Sequence, residues 1–342
     1  MVTSRDVARH AGVSQATVSR VLNDNPKVDP DIRARVLASL KEIGYVPNAV
    51  AKAMRTNRSG AIGIATAEIQ NPFLPFMLEE LTKAAAARNL NVTVWNESDP
   101  GVPMATAGIA GGSVDGVLFM ATRTDTFGVH DLIERGYPIM LVNRAGDEEK
   151  ADVVMSDHYA SGYAAGQYFA AGGRRSIAAI FGPDNTYASP ARERGFRAAL
   201  EDAGIQLRAE HVFSGVTSYD TGVAAVERMR SSLGTLDAVF CSSDIIAYGA
   251  LDALRGEGLR IPDDLWVIGI DGLSMSGWRS FDLTTQRQQV ETIAEKAIDG
   301  LLRRIGGEAA EPERTIIPTE WIFRGSSPSI DDGTAADRGN AL

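Results

Sequence analysis

Apolar residues recur every three or four positions in three short segments of the first 45 residues, a spacing that places them on one face of a helix. The positions are Val7 and Ala11, then Val18, Val21 and Leu22, and finally Ile32, Val36, Leu40 and Ile43. Residues suited to cap a helix N-terminus precede each segment; they are Thr3 or Ser4, Ser14, and Asp29. Gly12 permits a left-handed turn between the first two helices, and Gly44 ends the third. Three small helices around one apolar core predict a helix-turn-helix unit.

Residues 46–60, VPNAVAKAMRTNRSG, continue this unit with a weaker pattern. Their apolar positions fit one short helix that begins near Pro47 and ends before the polar RTNRSG. A helix of fewer than about 12 residues is marginal in water. The segment is therefore predicted to fold only on contact, as a hinge.

From residue 60 onward, short β-like runs alternate with helical segments. The runs are AIGIATA, NVTVWN, DGVLFM, YPIMLVN, SIAAIFG, LDAVFCS and LWVIGID, and the clearest helices are FMLEELTKAAAARNL and PARERGFRAALEDAG. Strand–helix alternation predicts parallel sheets covered on both faces. The runs fall into two groups, before and after about residue 158, so we expect two α/β lobes with a ligand cleft between the carboxyl ends of their strands.

Composition narrows the class of protein. The chain has 342 residues, of which 44% are hydrophobic and 23% charged, as in a soluble protein of two or three domains. No apolar run reaches the roughly 18 residues of a membrane span, and the N-terminus lacks the apolar stretch of a secretory signal. The single cysteine, Cys241, excludes an internal disulfide framework and a multi-cysteine zinc site. These features favour a cytoplasmic protein that has no contact with the membrane.

The net charge of −10 is unevenly distributed. Residues 1–59 hold ten Lys/Arg and five Asp/Glu, a balance of +5, which leaves −15 for the remainder. A basic head on an acidic body indicates that the head alone meets phosphate. The head is therefore predicted to bind nucleic acid.

The second predicted helix carries side chains suited to the DNA major groove. Gln15 offers a donor and an acceptor to a base edge, and Arg20 is suited to a two-pronged contact with guanine. Ala16 allows close approach and contact with a thymine methyl group, whereas Ser14 and Ser19 suit phosphate oxygens. The alternative is that Gln15 and Arg20 belong to an ordinary solvated face.

Polar or aromatic side chains follow several predicted strands, at the edge where such sheets bind ligands. Phe73 is either a ring that stacks on a sugar or a core aromatic residue. Asn143 and Asp271 end two strands; a carboxylate there either accepts sugar hydroxyls or caps a turn. Arg192, in a helix start, is either a ligand contact or part of a surface ion pair. The remaining candidates are Ser243, Asp244 and Gln288.

No catalytic or metal-binding pattern accompanies these residues. The chain has neither a GxxxxGK[ST] phosphate loop nor a GxSxG nucleophile elbow. Its histidines, His10, His130, His158 and His211, are scattered without metal-like partners. We therefore expect no cofactor, no metal and no enzymatic activity.

Three motifs together resemble the lactose-repressor (LacI/GalR) family of bacterial transcription regulators: DVARHAGVSQATVSRVLN, VPNAVAKAMR and AIGIATAEIQNPF. The resemblance continues to about residue 325. It implies a homodimer that binds a pseudo-palindromic operator in double-stranded DNA. The residues that it places on DNA are Thr3, Ser14, Gln15, Ala16, Ser19, Arg20, Asn23, Asn48, Ala51 and Met54. Met54 stands where the family usually has the leucine that wedges into the minor groove.

The resemblance also implies a body like a periplasmic sugar-binding protein, with a small-molecule effector, a sugar or sugar derivative, between its lobes. The effector residues that it implies are Phe73, Asn143, Arg192, Thr217, Ser243, Asp271 and Gln288. Ser243 replaces a frequent asparagine, and Tyr219 is a candidate substitute for an aromatic residue that some members have near Thr217. Residues 97–116 are shorter and richer in Gly and Ala than the family's usual helix, which puts that helix and its dimer contact in question.

The resulting organisation is a helix-turn-helix domain at 1–46, a hinge at 47–59, a body at 60–325 and a disordered tail at 326–342. The first lobe is expected at about 60–158 and 287–318 and the second at about 159–286, with three crossings between them, the last near residue 286. The tail lacks leucine heptads, which favours a dimer over a tetramer.

The predicted function is that of a repressor whose operator affinity the effector controls allosterically. The sequence leaves open the identity of the effector and whether it weakens or strengthens DNA binding. Three alternatives stand beside this hypothesis: an exported sugar receptor, a purine-responsive regulator and an enzyme.

Overall fold

The computed structural model describes residues 2–22, 25–45, 58–66, 71–97, 104–120, 129–144, 150–308 and 311–330. The chain divides into two compact units, Met1–Ser59 and Gly60–Leu342. The predicted hinge helix lies outside the described residues, as do four of the predicted DNA contacts, Asn23, Asn48, Ala51 and Met54.

The first unit contains three short helices, as predicted. They are α1 (Ser4–Ala11), α2 (Gln15–Leu22) and α3 (Pro30–Glu42). Thr3 caps α1 in a reciprocal arrangement with Asp6, and Asp29 caps α3. Gly12 adopts the left-handed conformation that its position requires, with φ of 64°. The helices share a small apolar core in which Val7, Val18 and Val36 are fully buried, so the unit has its own core.

The second unit contains two mainly parallel sheets, each of six strands within the described residues. The first sheet consists of β1 (Ala61–Thr66), β2 (Asn91–Asn96), β3 (Val117–Met120), β4 (Ile139–Val142), β5 (Asp152–Ser156) and β11 (Arg314–Ile317), in the order β11-β5-β4-β3-β1-β2. The second consists of β6 (Ile177–Phe181), β7 (Val212–Ser214), β8 (Ala238–Cys241), β9 (Trp266–Asp271), β10 (Thr284–Arg287) and β12 (Glu320–Ile322), in the order β12-β10-β9-β8-β6-β7. Only the β10–β12 pair is antiparallel among the pairs of the described strands. The predicted α/β fold class is confirmed.

Helices cover the two sheets. Those of the first lobe are α4 (Phe73–Ala87), α5 (Met104–Ala110), α6 (Val129–Glu134) and α11 (Val290–Ile305). Those of the second lobe are α7 (His158–Ala171), α8 (Ala188–Asp202), α9 (Tyr219–Met229) and α10 (Asp244–Gly256). Helix α5 occupies the doubtful 97–116 segment and has seven residues. No helix among the described residues has both the length and the apolar character needed to span a bilayer.

The chain passes between the lobes at three places. The first is Asp157, between β5 and α7, and the second is Gln288, between β10 and α11. The third is Pro318, between β11 and β12. The expectation that the last crossing lies near residue 286 is therefore wrong, because β12 returns to the second sheet and pairs with β10.

The expected disordered tail is also partly wrong. Ser326 is fully buried and its hydroxyl donates to the carbonyl of Val267 over 2.6 Å. The Tyr168 hydroxyl donates to the carbonyl of Pro328, and Ile330 packs against the core of the second lobe. Residues 326–330 thus complete that lobe, because small polar side chains satisfy buried backbone groups there. Residues 331–342 lie outside the described part of the chain.

Two glycines allow an unusually close crossing of α7 and α8. A Cβ atom on Gly162 would lie 2.0 Å from the carbonyl oxygen of Arg192. A Cβ atom on Gly195 would lie 2.1 Å from the carbonyl oxygen of Tyr159. Only residues without a side chain permit this backbone contact. The crossing fixes the start of α7 against the first two turns of α8, where Arg192 lies.

Candidate functional sites

A cavity lies between the carboxyl ends of the two sheets and holds about 660 Å³ of empty space, including space open to solvent. All seven predicted effector residues line it: Phe73, Asn143, Arg192, Thr217, Ser243, Asp271 and Gln288. The first and the last of these residues, Phe73 and Gln288, are 215 positions apart in the sequence, and the fold brings them to one cavity. Their role in effector binding stays a prediction.

An ion pair forms the centre of the second-lobe wall. Arg192 Nη2 lies 3.2 Å from Asp271 Oδ1, and each side chain is about one-twentieth exposed. Arg192 Nη1 also donates to the carbonyl of Ser242 over 2.5 Å. The Ser243 hydroxyl donates to the other oxygen of Asp271 over 2.8 Å. The two charges therefore compensate each other, and the surface ion pair considered for Arg192 is not what the structure has.

Backbone strain accompanies this wall. Asp271 has φ of 144° and Asn143 has φ of 47°, conformations that residues with a side chain rarely adopt. A strand ends at or directly before each of these two residues, and each of them lines the cavity. Strain at such positions persists where the surroundings hold the residue in place. The contacts of Asp271 with Arg192 and Ser243 supply that restraint.

A chain of amide groups links the two lobes across the cavity. Gln288 Nε2 donates to Asp271 Oδ1 over 2.8 Å. Gln288 Oε1 accepts from Asn143 Nδ2 over 2.9 Å and from the Ser156 hydroxyl over 2.7 Å. The side-chain oxygen of Asn143, Oδ1, in turn accepts from the backbone N–H of Ser156 over 2.8 Å. Because Gln288 lies on a crossing segment, it connects an amide of the first lobe with a carboxylate of the second.

The described residues of the first-lobe wall are uncharged. Phe73 begins α4 and is 7% exposed. Its backbone N–H donates to the side chain of Asn71 over 3.1 Å, so Asn71, which the sequence reading did not select, positions the ring at the cavity. Leu74 and Met120 complete the apolar part of this wall. Phe73 is both a cavity residue and part of the core.

Asp244 is not a cavity residue, although the sequence made it a candidate. It is fully buried and accepts hydrogen bonds from the backbone N–H groups of Gly272 and Leu273, each over 2.9 Å, and from the hydroxyls of Ser276 and Thr285 over 2.7 and 2.6 Å. Burial, together with the nearby negative charge of Asp271, raises the pKa of Asp244 to about 6. Asp244 therefore holds the loop after β9 in place.

Tyr219 does not substitute for the aromatic residue that some family members place near Thr217. Its hydroxyl donates to Asp252 over 2.6 Å, and 36% of the residue is exposed. This hydrogen bond joins α9 to α10, and Tyr219 does not line the cavity. Thr217 itself does line the cavity.

His158 is the main cavity residue that the sequence reading missed. It is the first residue of α7, lines the cavity and is 3% exposed. Its ring meets that of Tyr187 edge to face at 6.0 Å. Burial, with a smaller contribution from the charge of Arg192, lowers the pKa of His158 well below 6.5. The missed residues also include Ser156, Thr186, Ser189 and Ser242.

The predicted DNA-reading face of α2 is exposed. Gln15, Ala16 and Arg20 are exposed, whereas Val18 and Val21 are buried on the opposite side of the helix. The α2 surface thus separates a core-facing stripe from a solvent-facing one.

Local hydrogen bonds organise the polar residues around that face. Gln15 Nε2 donates to the Ser4 hydroxyl over 2.8 Å. The Ser14 hydroxyl accepts from the backbone N–H of Thr17 over 3.1 Å, which caps α2. Thr3 lies at the start of α1 with its hydroxyl donating to Asp6 over 2.7 Å. Ser19 is half-buried on α2.

The described residues contain no group of three or more metal-ligating side chains.

Two segments of the chain match known families. Residues 3–48 match the model of bacterial regulatory proteins of the lacI family, and residues 167–327 match that of the periplasmic binding protein-like domain. A transcriptional regulator CelR from Thermobifida fusca is 32% identical over 329 residues, 94% of this chain and 96% of that protein. The chain belongs to the lacI family of bacterial regulatory proteins.

Other relatives of this lacI-family chain agree. A transcriptional repressor PurR from Yersinia enterocolitica is 31% identical over 341 residues, 98% of this chain and 99% of that protein. The structure of a CelR–cellobiose complex superposes with a TM-score of 0.74 at 31% identity, covering 96% of this chain and 100% of that one. A lac repressor dimer bound to operator and the anti-inducer ONPF has a TM-score of 0.83 at 24% identity, covering 95% and 98%, which establishes likeness of fold.

Family membership confirms the resemblance seen in the sequence and decides among the alternatives. This lacI-family chain is a DNA-binding transcriptional regulator. The enzyme and the exported sugar receptor are no longer supported, since the family consists of regulators with this N-terminal module. The choice between a sugar and a purine depends on the cavity.

Proposed function

We propose that this regulator is a cytoplasmic homodimer that represses transcription from an inverted-repeat operator and that a neutral sugar in the inter-lobe cavity controls its DNA affinity. The observation that carries the effector class is the charge balance of the cavity. Arg192 and Asp271 neutralise each other at 3.2 Å. The other polar groups of the described lining are uncharged amides and hydroxyls and the imidazole of His158. Such a lining suits a ligand with many hydroxyl groups and no net charge.

The aromatic content of the cavity favours a sugar over a purine. Among the described lining residues, the aromatic rings are those of Phe73 and His158. One apolar ring against one face suits a sugar, whereas a flat base is best held by stacking on both faces. The CelR relative supports the same effector class, because its structure is a complex with cellobiose. A purine remains the second candidate because several relatives are PurR repressors.

On the DNA side, we assign base contacts to the exposed stripe of α2. Arg20 and Gln15 reach base edges, with Gln15 exchanging its bond to Ser4 for one to a base, and Ala16 packs on a thymine methyl group. Thr3, Ser14 and Ser19 contact phosphate. The further DNA contacts that we propose are Asn23, Asn48, Ala51 and Met54.

In this proposal residues 1–46 read the major groove and residues 47–59 form the paired hinge, which enters the minor groove. The three crossing segments transmit the state of the cavity, because a ligand held by both lobes changes how they sit on each other. An effector shifts DNA affinity only by its different affinity for the two states. Gln288, on one crossing and bonded to both walls, is the residue best placed to register the ligand.

The DNA part is tested by selecting bound duplexes from a random-sequence library with the purified protein. An inverted repeat is expected to be enriched, and its affinity is expected to fall steeply with salt. The Arg20→Ala variant should lose about tenfold or more in affinity for the selected site and relax its sequence preference. Arg9→Ala, which removes the same charge from an exposed position of α1, should retain the preference. Failure to enrich any repeat contradicts the proposal.

The effector part is tested by thermal shift with D-glucose, D-galactose, D-xylose, L-arabinose and cellobiose, with hypoxanthine and guanine as a purine arm and D-glucuronate as an acid arm. A ligand at 100 times its Kd stabilises by about 2.7 kcal/mol. At least one neutral sugar is expected to raise Tm. A shift with a purine or with glucuronate alone contradicts the sugar assignment.

A further inference from the structure

Two polar side chains in the cavity wall are held in place without being satisfied. Neither ring nitrogen of His158 has a hydrogen-bond partner among the described residues, and neither does Nε of Arg192. Both residues are more than nine-tenths buried, and both line the cavity. Buried polar groups are hydrogen-bonded in the great majority of cases. Unpaired groups in a cavity wall therefore point to a partner that the described residues do not provide.

The two residues belong to the two helices of the close crossing, and the charge of Arg192 acts on the imidazole of His158. Gly162 contacts the backbone of Arg192, four residues after His158 in the sequence. The two nitrogens of the guanidinium that do have partners are bonded to Ser242 and Asp271, which fixes the plane of the group. The edge-to-face contact with Tyr187 fixes the imidazole. Both groups are thus oriented before a ligand arrives, which lowers the entropic cost of binding it.

We propose that His158 and Arg192 Nε form a clamp for one hydroxyl group of the effector. The hydroxyl oxygen accepts the N–H of Arg192 Nε, and the hydroxyl hydrogen is donated to the ring nitrogen of His158 that carries no proton. Of the common ligand groups, a hydroxyl does both. A carboxylate or a keto oxygen has no hydrogen to donate, and the charge of Arg192 is already compensated by Asp271. This inference rests on the proposed sugar effector and specifies how the site recognises it.

The imidazole of His158 is neutral in this setting. Burial and the neighbouring positive charge of Arg192 both lower its pKa below 6.5, so one of its nitrogens is an acceptor near neutral pH. A protonated ring would have only donors and would repel the Arg192 guanidinium.

The test compares sugar binding by isothermal titration calorimetry in the wild type and three variants. His158→Phe keeps a ring for the Tyr187 contact and removes the acceptor. His158→Gln keeps an acceptor. His211→Phe is the matched control, because His211 is also buried, at 4% exposed, and does not line the cavity. The probes are the five neutral sugars named above. We expect His158→Phe to weaken binding of the active sugar about tenfold or more, His158→Gln to lose less, and His211→Phe to bind like the wild type.

The outcomes separate this inference from the proposed function. If a neutral sugar binds the wild type and His158→Phe equally well, the clamp is wrong and the sugar effector stands. If only a purine or glucuronate binds, the sugar effector is wrong and the hydroxyl clamp is wrong with it.

If no probe binds, the unliganded proteins still decide about His158. Because no described residue gives the imidazole a hydrogen bond, His158→Phe should leave the unliganded Tm unchanged or raise it. A drop of several degrees, absent in His158→Gln, would mean that the imidazole has a structural partner and would overturn the clamp.

Discussion

The two walls of the cavity are built differently. The second lobe contributes its charged residues, Arg192 and Asp271, and a histidine, whereas the described residues of the first lobe contribute apolar side chains and amides. On the second wall Asp271 is held by three side chains, Arg192, Ser243 and Gln288. On the first wall Asn143 is held by two groups, Gln288 and the backbone of Ser156. The carboxylate at the strand end of the second wall therefore has one more hydrogen-bonding partner than the amide at the strand end of the first.

The two walls also differ in the free-energy cost of removing a side chain. A buried ion pair contributes little net stability, but removal of one partner is costly because the other charge stays buried. Neutral amides carry a smaller penalty. Substitutions of the ion pair on the second wall should therefore cost more folding stability than substitutions of the amides on the first wall.

The largest effect is expected from Asp271→Asn, which leaves the buried guanidinium of Arg192 without a counter-charge. The free energy of unfolding should fall by about 3 kcal/mol, measured by urea denaturation. The double variant Arg192→Met, Asp271→Asn should recover much of this loss, since neither charge of the pair remains. A loss below about 1 kcal/mol in the single variant would show that the two walls do not differ as described.

Gly195→Ala should cost about 2 kcal/mol, because its Cβ would lie 2.1 Å from a backbone oxygen of α7 and the helices must separate. Separation displaces Arg192, so sugar affinity should fall as well. Gly256→Ala is the matched control: it lies in α10 with open space at its Cβ position and should be neutral or slightly stabilising. An equal response of both variants in urea denaturation would contradict the close-crossing argument.

Asn143→Ala tests the first wall. It removes two hydrogen bonds and places alanine at φ of 47°, so the free energy of unfolding should fall by about 2 kcal/mol. Asn143→Gly relieves the backbone strain and should lose about 1 kcal/mol less. Calorimetry with the active sugar should show weaker binding in both. If the two variants are equally stable, strain at this strand end is not a cost.

The smallest effect concerns pH. The pKa of His158 is lower in the folded protein than in the unfolded chain, so between 6.5 and the folded value the unfolded state binds more protons and stability falls as pH falls. Between pH 7.5 and 5.5 the wild type should lose about 1 kcal/mol more than His158→Phe. Urea denaturation at the two pH values measures the difference. Equal slopes would mean that His158 titrates normally in the fold.

Sequence reasoning located the walls well where a strand ends in a polar residue. Asn143 and Asp271 stand directly after buried apolar runs, and that boundary places their side chains at the ligand edge of a parallel sheet. Arg192 and Gln288 are candidates from their places at a helix start and after LTTQR, and the family resemblance then implies that they hold the effector. The strands that sequence reasoning missed, β5, β7, β10, β11 and β12, contain at most three consecutive apolar residues, whereas the equally short β3, β4 and β8 are apolar throughout.

The same reasoning could not separate Asp244 from Asp271. Both follow a strand of the second lobe, and only the three-dimensional loop shows that four protein donors surround Asp244 whereas Asp271 faces the cavity. The place of His158 in the cavity wall could not be predicted from the sequence for a related reason. The significance of this residue lies in ring nitrogens that have no hydrogen-bond partner among the described residues, and that is a property of three-dimensional packing that no local pattern carries.

The most direct test of the account is the operator affinity of the wild type with and without a saturating concentration of the sugar that raises its Tm. Fluorescence anisotropy on the selected inverted repeat should show that the Kd for DNA changes by about 5-fold to 150-fold. Calorimetry should show the same factor in sugar affinity when operator is present, because the coupling is reciprocal. An unchanged DNA affinity in the presence of a sugar that demonstrably occupies the cavity would contradict the central claim.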